Sequence, residues 1–469
     1  MRIYGPTSVD NYDDATYPLM IADHNNCSAF EDWHWATISE KVQGPIKMES
    51  ILINNHGRSL PRAFISIKVE PGKRILLRLI NASTDTAYIF SIDDYELQVI
   101  GADLVPIQPF KKNFLHIGIG QRYHGIPETK KQGEHKPSYW IRTEPAQHCK
   151  GILLYDDNVT RDPTTGKHDY DTLCRDEDHT NIEPVIGWTV PRPTPEQLHK
   201  VKLPFKVMRG ANFTLLPEPE GDIPAGPNIS VWKLINHAAW VDYKDPTISH
   251  TDRPESEWPE NAALFEVNSE DEKDDSPVDS TRGDLDSPGK PGWPSPGKEY
   301  KTWVYMLIDG GHQTQIPPRR KGDSVIPAAH PIHLHGHDFA LLAQSYEPFN
   351  HSLIRHPRRM QKWIDTFTLD NPARRDVVLL PRDGYIVIAF PVDNPGAWLL
   401  HCHIAWHASG GLALQILEDR ETVREKIHGW PARHAYKQLI DGCKNWETWY
   451  KDWDNHCLPD ERFQDDSGV

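Results

Sequence analysis

A cysteine flanked by two histidines is the part of the sequence best suited to chemistry. Cys402 stands between His401 and His403, and His407 and Leu412 follow five and ten residues after the cysteine. A thiolate together with imidazoles is a ligand set that selects copper or zinc over magnesium or calcium. The segment therefore predicts a transition-metal site. The competing interpretation is three histidines that lie by chance near a core cysteine.

A strand is expected to present these ligands. The four residues before the motif, 397–400, are apolar and predict a buried strand. Because successive side chains of a strand point to opposite faces, His401 and His403 would face one way and Cys402 the other. The tripeptide could then bind two metal centres and connect them through a few covalent bonds.

A second segment supplies four more histidines within eight residues: His330, His333, His335 and His337. His333 and His335 would share one face of an extended segment, and Pro331 keeps His330 out of helical geometry. A mononuclear copper needs two histidines and a cysteine with a weak axial neighbour, which the two segments together provide. A zinc site is the weaker alternative, since four histidines would remain outside any tetrahedral set.

With both motifs, the chain resembles a multicopper oxidase, most closely a laccase of the ascomycete fungal type. Weaker similarity runs through most of the chain, in segments 3–7, 50–54, 118–123 and 393–398. The resemblance implies an all-β fold with two consecutive cupredoxin-like Greek-key β-sandwich domains and a C-terminal helical extension. The sequence agrees, because short strand candidates are separated by turn residues. These candidates include 65–69, 74–80, 97–100, 229–234 and 301–308.

The resemblance also implies two kinds of copper site. The type 1 copper would be bound by three residues, His330, Cys402 and His407, with Leu412 in the axial position. His333 would serve the type 2 copper, and the type 3 pair would be served by His335, His401 and His403. A leucine cannot bind the metal, so the type 1 copper would be three-coordinate. Its reduction potential would then be higher than that of a site with an axial methionine. Trp406 would either line the copper edge or simply pack in the core.

Length predicts two to three domains with ample core. We expect a first domain over residues 1–155, without copper ligands, and a polar linker over 156–200. The second domain, over 201–469, would carry the type 1 site and half of the trinuclear ligands. Within it, residues 268–298 are rich in Asp, Glu, Ser, Pro and Gly and predict a disordered insertion.

One departure from the family is large. The family has three cupredoxin domains, and its trinuclear cluster takes eight histidines, four of them from paired motifs in the first domain. No His-x-His pair precedes residue 330, and the chain resembles the family from its second domain onward. We therefore expect an N-terminally truncated chain that lacks the first domain and its signal peptide. His34 has no second histidine two residues away and is expected to be structural.

Two segments of the second domain have their own predictions. The basic stretch 345–365 is expected to be a solvated loop, with a role at the rim of the substrate site as the alternative. Near the C-terminus, apolar residues recur at three and four residues after Pro431 and predict a helix whose stripe packs on the sandwich. The stripe consists of Tyr436, Leu439, Ile440, Cys443, Trp446, Trp449, Tyr450 and Trp453. The final residues 466–469 are similar to the tail that ascomycete laccases insert toward the cluster.

The cysteines have different expected roles. Cys402 should stay free as a ligand. The resemblance implies a disulfide between Cys149 and Cys174, and it places Cys443 where the family has a cysteine bonded to the first domain. The remaining two, Cys27 and Cys457, receive no assignment.

The resemblance implies one-electron oxidation of a small aromatic donor, such as a phenol, coupled to reduction of dioxygen to water. The electron would enter through an exposed edge of His407 or His330 and travel along Cys402 to His401 and His403.

Two positions differ from those of laccases, and both differences weaken the inference that the substrate is a phenol. Pro61 aligns where laccases often place a carboxylate, and His124 replaces an aspartate that is usual after the Gly-Gln-Arg-Tyr segment. An oxidase of pigment precursors or of metal ions therefore stays open. A type 1 copper electron carrier and a non-catalytic remnant are the alternatives of another class.

Charge, hydropathy and glycosylation sequons limit the expected partners and location of the protein. The net charge is −16 and no basic run dominates, so a nucleic-acid partner is not expected. No apolar stretch reaches about 18 residues, so no membrane span is expected. Six asparagines lie in glycosylation sequons and favour a secreted protein, although the first residues have no apolar signal core. They are Asn26, Asn81, Asn158, Asn212, Asn228 and Asn350.

Overall fold

The computed structural model of the protein describes most of the chain. The described residues are 12–29, 32, 48–57, 64–144, 150–156, 158, 161–170, 173–202, 205–208, 229–232, 239, 242–259, 264–268, 302–310, 329–429 and 432–451. Several predictions fall on residues outside these ranges. They concern segment 3–7, His34, Pro61, Cys149, Asn212, Asn228, nearly all of the 268–298 insertion, Trp453, Cys457 and the 466–469 tail.

The first half of the described chain forms a β-sandwich. Its strands are β1 Asp14–His24, β2 Ser50–Ile53, β3 Ser66–Lys68, β4 Ile75–Asn81, β5 Tyr88–Ile92, β6 Leu97–Ala102, β7 Val105–Lys112, β8 Phe114–Ile117, β9 Arg122–Pro127, β10 Ser138–Glu144 and β11 Lys150–Leu154. One sheet has the order β2-β1-β4-β9-β6-β7 and the other β3-β11-β10-β5-β8. Side chains of both sheets, such as Leu79 and Phe90, pack into one core.

The second half forms another sandwich. Its strands are β12 Leu198–Lys202, β13 Phe205–Met208, β14 Ile229–Trp232, β15 Leu264–Val267, β16 Trp303–Asp309, β17 His330–Leu334, β18 Phe339–Ser345, β19 Arg374–Arg375, β20 Val377–Leu380, β21 Tyr385–Pro391, β22 Gly396–Cys402 and β23 Ala413–Glu418. The two larger sheets have the orders β12-β16-β21-β18-β19 and β15-β23-β22-β17-β20, and β13 pairs with β14. The predicted all-β fold is confirmed, and each strand candidate overlaps an observed strand.

Most helices of the described residues lie in the second half of the chain. They are α1 Pro357–Ile364, α2 Ala405–Ser409, α3 Arg420–His428 and α4 Ala432–Lys451, and 3-10 helices span His179–Asn181, Thr247–Asp252, Glu255–Glu257 and His351–Arg355. Among the described residues, no helix combines the length and apolar character that crossing a membrane requires.

The prediction of a loop over 345–365 is wrong in part. Its basic side chains are exposed, as expected, but a 3-10 helix and α1 occupy most of the segment. Pro357 fits the first turn of α1, where its missing N–H costs no hydrogen bond. Met360 and Ile364, four residues apart, bury one face of the helix and stabilise it.

The predicted C-terminal helix is confirmed as α4, but its apolar stripe is only partly covered. Cys443 is buried, and the Trp446 ring lies 5.0 Å from that of Tyr243. Leu439 and Trp449, however, are 40% and 42% exposed. The expectation that the whole stripe packs as core is therefore wrong for these two side chains.

The predicted linker contains two buried carboxylates, and the first of them contacts both sandwiches. Asp176 accepts hydrogen bonds from the Gln121 side chain of the first sandwich at 2.6 Å and from the Gln344 side chain of the second at 2.9 Å. The next residue, Glu177, is also buried and accepts one from the backbone N–H of His116 at 2.8 Å. Since a buried carboxylate is costly unless it is hydrogen-bonded, these bonds fix the path of the linker.

One sequon does not fit glycosylation in the folded protein. Asn81 is buried, and its side-chain amide donates to the carbonyls of Thr86 and Ile117. Asn81 therefore does not count among the sequons that favour a secreted protein. Asn26, Asn158 and Asn350 are exposed.

Candidate metal centre

The two histidine-rich segments lie side by side because their strands pair. β17 and β22 are antiparallel neighbours, with Ile332 opposite Cys402 and His333 opposite His401. The pairing brings together residues about 70 positions apart in the sequence. Leu400 and Ile332 are fully buried and anchor the two strands in the core, which fixes the register of the histidines.

Three of the predicted ligands converge on one point. The Nδ1 atoms of His330 and His407 are each 3.7 Å from Cys402 Sγ and 3.1 Å from each other. A point equidistant from these three atoms is about 2 Å from each, which is close to a metal–imidazole bond length. The donor atoms therefore fit a single metal ion, and the thiolate with two imidazoles suits copper.

Burial sets the protonation of this triad. Cys402 and His330 are fully buried, and His407 is half-buried. Burial lowers the pKa of His330 well below its ordinary value and that of His407 to about 3, so both rings are neutral and can offer lone pairs. Burial also raises the pKa of the Cys402 thiol, which must lose its proton when a metal binds.

Leu412 is connected to the triad through the backbone. Its carbonyl accepts the N–H of Cys402 at 3.0 Å, and its N–H donates to the carbonyl of His407 at 2.9 Å. The side chain is fully buried and has no donor atom. Trp406 is half-buried and packs against the main core.

The other predicted ligands form a second group beside the first. Nitrogen atoms of His333, His335 and His401 lie within 4.8 Å of one another, and the Nε2 atoms of His335 and His401 are 3.1 Å apart. The ring of His403 is centred 5.7 Å from the rings of both His333 and His401. His335 is exposed, so this group is open on one side.

Backbone carbonyls orient two of these rings. His333 Nδ1 is 2.7 Å from the carbonyl of Asp376, and His401 Nδ1 is 2.8 Å from the carbonyl of Cys402. A carbonyl only accepts, so Nδ1 is assigned as the donor and Nε2 is left for a metal. Burial lowers the pKa of all four histidines, that of His401 to about 3. Four neutral imidazoles at this spacing fit copper.

His337, the fourth histidine of its segment, belongs to neither group. Its Nε2 is 2.6 Å from a carboxylate oxygen of Glu418, which is fully buried. The other oxygen of Glu418 accepts the backbone N–H of Asn394 at 2.6 Å. His337 therefore supports the turns behind the site. His124 lies on β9, and burial together with Arg78 and Arg122 lowers its pKa to about 4.

One carboxylate near the triad was not predicted from the sequence. Positions 61 and 124 were considered for a carboxylate, but Asp85, in the loop that follows β4, was not. The carbonyl of Thr84 accepts the N–H of Ala405 at 3.0 Å, so this loop contacts the start of α2, which carries His407. Asp85 is close enough to Cys402 for its charge to raise the pKa of the thiol further.

The environment of Asp85 is unusual for a carboxylate. Burial and the neighbouring Asp23 raise the pKa of Asp85 to about 7. Asp23 also accepts the backbone N–H groups of Thr84 and Asp85, each at 2.8 Å, and so holds the loop. The signal that could have found Asp85 is its place in the loop after a buried strand, but only the fold brings that loop close to Cys402.

One predicted entry point for electrons is wrong. An exposed edge was expected at His407 or His330, but His330 is fully buried by the strands around it. Of the two, only His407 has an edge that reaches the surface.

Comparisons with known proteins agree with this geometry. Family models described as multicopper oxidase match residues 15–160 and 259–422. The whole chain is 36% identical to a laccase of Arthroderma benhamiae, of which it covers 68%, and 30% identical to dihydrogeodin oxidase of Aspergillus terreus, of which it covers 71%. The crystal structure of a laccase from Botrytis aclada is 27% identical and matches 99% of this chain and 72% of that chain with a TM-score of 0.72.

Proposed function

Because this chain belongs to the multicopper oxidase family and is a laccase-like oxidoreductase, we propose that it oxidises phenols or similar small aromatic donors by single electrons and couples this to reduction of dioxygen to water. The observation that carries the proposal is the buried triad of Cys402, His330 and His407 beside a second group of histidines. Copper, when bound, would supply the one-electron chemistry at the triad and the dioxygen chemistry at the second group.

We assign the type 1 site to the triad, with Leu412 as its axial neighbour. The three donor atoms suit a three-coordinate copper, and the leucine offers no fourth ligand. His333 is assigned to the type 2 copper, and His335, His401 and His403 are assigned to the type 3 pair. Cys402 is bonded through the main chain to both His401 and His403, so the two sites are linked by a short covalent path.

Four histidines are half of the ligands that the family's trinuclear cluster takes. The exposed side of His335 leaves room for further donors. We therefore propose that this chain alone supplies only half of the ligands of the cluster. Copper quantitation on the purified chain tests this: fewer than four tightly bound coppers are expected, and a full set of four would contradict it.

The donor is proposed to bind at the half-buried edge of His407, with Asp85 as the proton acceptor. A phenol loses a proton when it is oxidised to a radical, and a nearby base lowers the barrier of that step. A carboxylate with a pKa near 7 is ionised in part at neutral pH and is well matched to this task.

An extracellular location is proposed as well. Sequon asparagines at positions 26, 158 and 350 are exposed and available for glycosylation. Digestion of the protein from a eukaryotic host with an endoglycosidase should lower its apparent mass, and an unchanged mass would count against secretion.

Oxygen uptake measured together with visible absorption tests the proposed reaction. Blue absorption from a thiolate–copper bond, together with oxygen consumption after a phenol is added, would support the oxidase. Blue colour without oxygen consumption would instead indicate a type 1 copper electron carrier. The absence of both would indicate a non-catalytic remnant of an oxidase. Cys402→Ser is the matched variant, and it should lose the colour and the oxygen uptake together.

A further inference from the structure

Arg122 contacts both sandwiches at the edge of the histidine group. It opens β9 of the first sandwich, and its guanidinium donates two hydrogen bonds of 2.7 Å to the two carboxylate oxygens of Asp376, in the second. The same guanidinium donates to the carbonyl of Gly120 at 2.8 Å. One side chain thus holds two backbone segments, one from each sandwich.

Each of these segments touches a histidine of the second group. The carbonyl of Asp376 accepts the Nδ1 proton of His333. Gly120 lies directly under the ring of His403, since a Cβ on this residue would be only 2.6 Å from His403 Nε2. Gly120 also has a φ of +79°, a conformation that side chains disfavour. The two segments therefore set the orientation of His333 and limit the position of His403.

The Arg122 side chain is itself held in place. A second ion pair, between Arg375 and Asp103, is almost fully buried at 2.9 Å. Asp103 accepts the backbone N–H of Arg122 at 3.0 Å and lies 3.7 Å from its guanidinium. Because a guanidinium is a planar fork of donors, the bidentate contact with Asp376 leaves it little freedom.

We propose that Arg122 is a positioning residue for the histidine group that contains His333 and His403. By donating hydrogen bonds to both Asp376 and Gly120, it fixes His333 and the surface against which His403 rests. This inference depends on the proposed copper function and adds a residue to it. The triad of Cys402, His330 and His407 has no contact with Arg122 among the described interactions. A change at Arg122 should therefore affect one copper site and spare the other.

Arg122→Lys tests the proposal, because lysine keeps the charge but cannot make the forked contact. Copper binding is measured with copper(II) itself. The protein is dialysed against a series of chelator concentrations, and the bound copper is then quantified by metal analysis and by electron paramagnetic resonance. The non-blue copper should bind about 10- to 100-fold more weakly than in the wild type, the usual effect of losing such a supporting contact. The blue absorption of the triad should keep its intensity and position.

Arg142→Lys is the matched control. Arg142 forms an ion pair of the same kind with Asp93, at 2.6 and 2.7 Å, within the first sandwich. This variant loses a comparable ion pair but should keep both kinds of copper. If Arg142→Lys loses the non-blue copper to the same extent, a general loss of fold stability explains the effect and the proposal is overturned.

Other outcomes separate this inference from the proposed function. If Arg122→Lys binds the non-blue copper as tightly as the wild type does, the positioning role is wrong and the proposed function stands. If the blue absorption falls in parallel, the effect is not specific to the histidine group, and the positioning role is again wrong. A wild-type protein that binds no non-blue copper would contradict the proposed function and this inference together.

Discussion

At the scale of single residues, burial is the property that prepares the donor atoms. His330 and His407 have pKa values far below the ordinary value because their rings are buried, so they stay neutral through the physiological range. The motifs alone predicted which residue types would meet. They could not predict that His330 is closed to solvent or that Asp85 lies near Cys402, because both facts depend on packing between distant segments.

Leu412→Met changes the proposed axial neighbour of the triad with little change in volume. The fold should lose less than about 1.5 kcal/mol of stability, as volume-conserving core substitutions do. A thioether can approach the copper weakly, so the reduction potential of the blue copper should fall. Redox titration followed by the blue absorption measures this, and a potential that stays the same or rises would argue against an axial role for position 412.

Asp85→Asn removes the proposed proton acceptor. Phenol oxidation should slow by about 100-fold or more, the usual contribution of general base catalysis. The sign of the pH effect follows from the raised pKa: Asp85 is protonated below pH 7 and gains its charge above it. In the wild type, kcat/KM for a phenol should therefore rise as the pH passes through about 7, and the variant should lack this rise.

A donor that carries no ionisable proton is the control for this variant. Its oxidation does not require a base, so Asp85→Asn and the wild type should oxidise it at similar rates. Equal losses for both donors would show that Asp85 maintains the site rather than accepting a proton.

At the scale of elements, the strands were predictable and their surroundings less so. Apolar runs such as 74–80 predicted β4, and alternation at 401–403 predicted that Cys402 would face away from the neighbouring histidines. The short helix α1 was missed because its basic residues resemble a loop, whereas its stability depends on Met360 and Ile364 packing into the core. Leu439 and Trp449 show the opposite case. Their helical spacing predicts that they share one apolar face of the helix, but it does not predict whether other residues cover that face.

The ion pair between Arg375 and Asp103 supports another prediction at this scale. Burial opposes ionisation of Asp103, but the charges of Arg375 and Arg122 outweigh it and hold the pKa of Asp103 below its ordinary value. The ionised form therefore stabilises the fold above about pH 4, and this contribution is lost as the pH falls through the pKa in the folded state. Arg375→Met leaves a buried carboxylate without its main partner and should cost about 3–5 kcal/mol.

Urea unfolding of Arg375→Met at pH 7 and at pH 4 measures this cost. The loss of stability should be largest at pH 7 and should shrink at the lower pH, as Asp103 takes up a proton in the variant. A cost below about 1 kcal/mol at pH 7 would show that the pair contributes little to stability.

At the scale of the whole molecule, two sandwiches are joined by buried polar contacts. Asp176 of the linker, Arg122 and Arg375 each bond across the junction, and the histidine group lies beside two of these contacts. The sequence predicted the two sandwiches and the family, which the comparisons confirm. It could not predict the contacts across the junction, because a single charged residue has many possible partners until the fold selects one.

Some whole-molecule expectations stay predictions. The domain boundaries at 155 and 200 and the disulfide of Cys149 belong here. Cys174 has no disulfide partner among the described residues, and Cys149 lies outside them. Cys402 is free and buried, as a metal ligand requires.

X-ray absorption at the copper edge of the copper-loaded protein tests whether the triad binds copper through its thiolate. With one equivalent of copper bound at the blue site, one sulfur and two nitrogen neighbours are expected at bonding distance, from Cys402, His330 and His407. A copper surrounded by nitrogen and oxygen alone, with no sulfur neighbour, would contradict it.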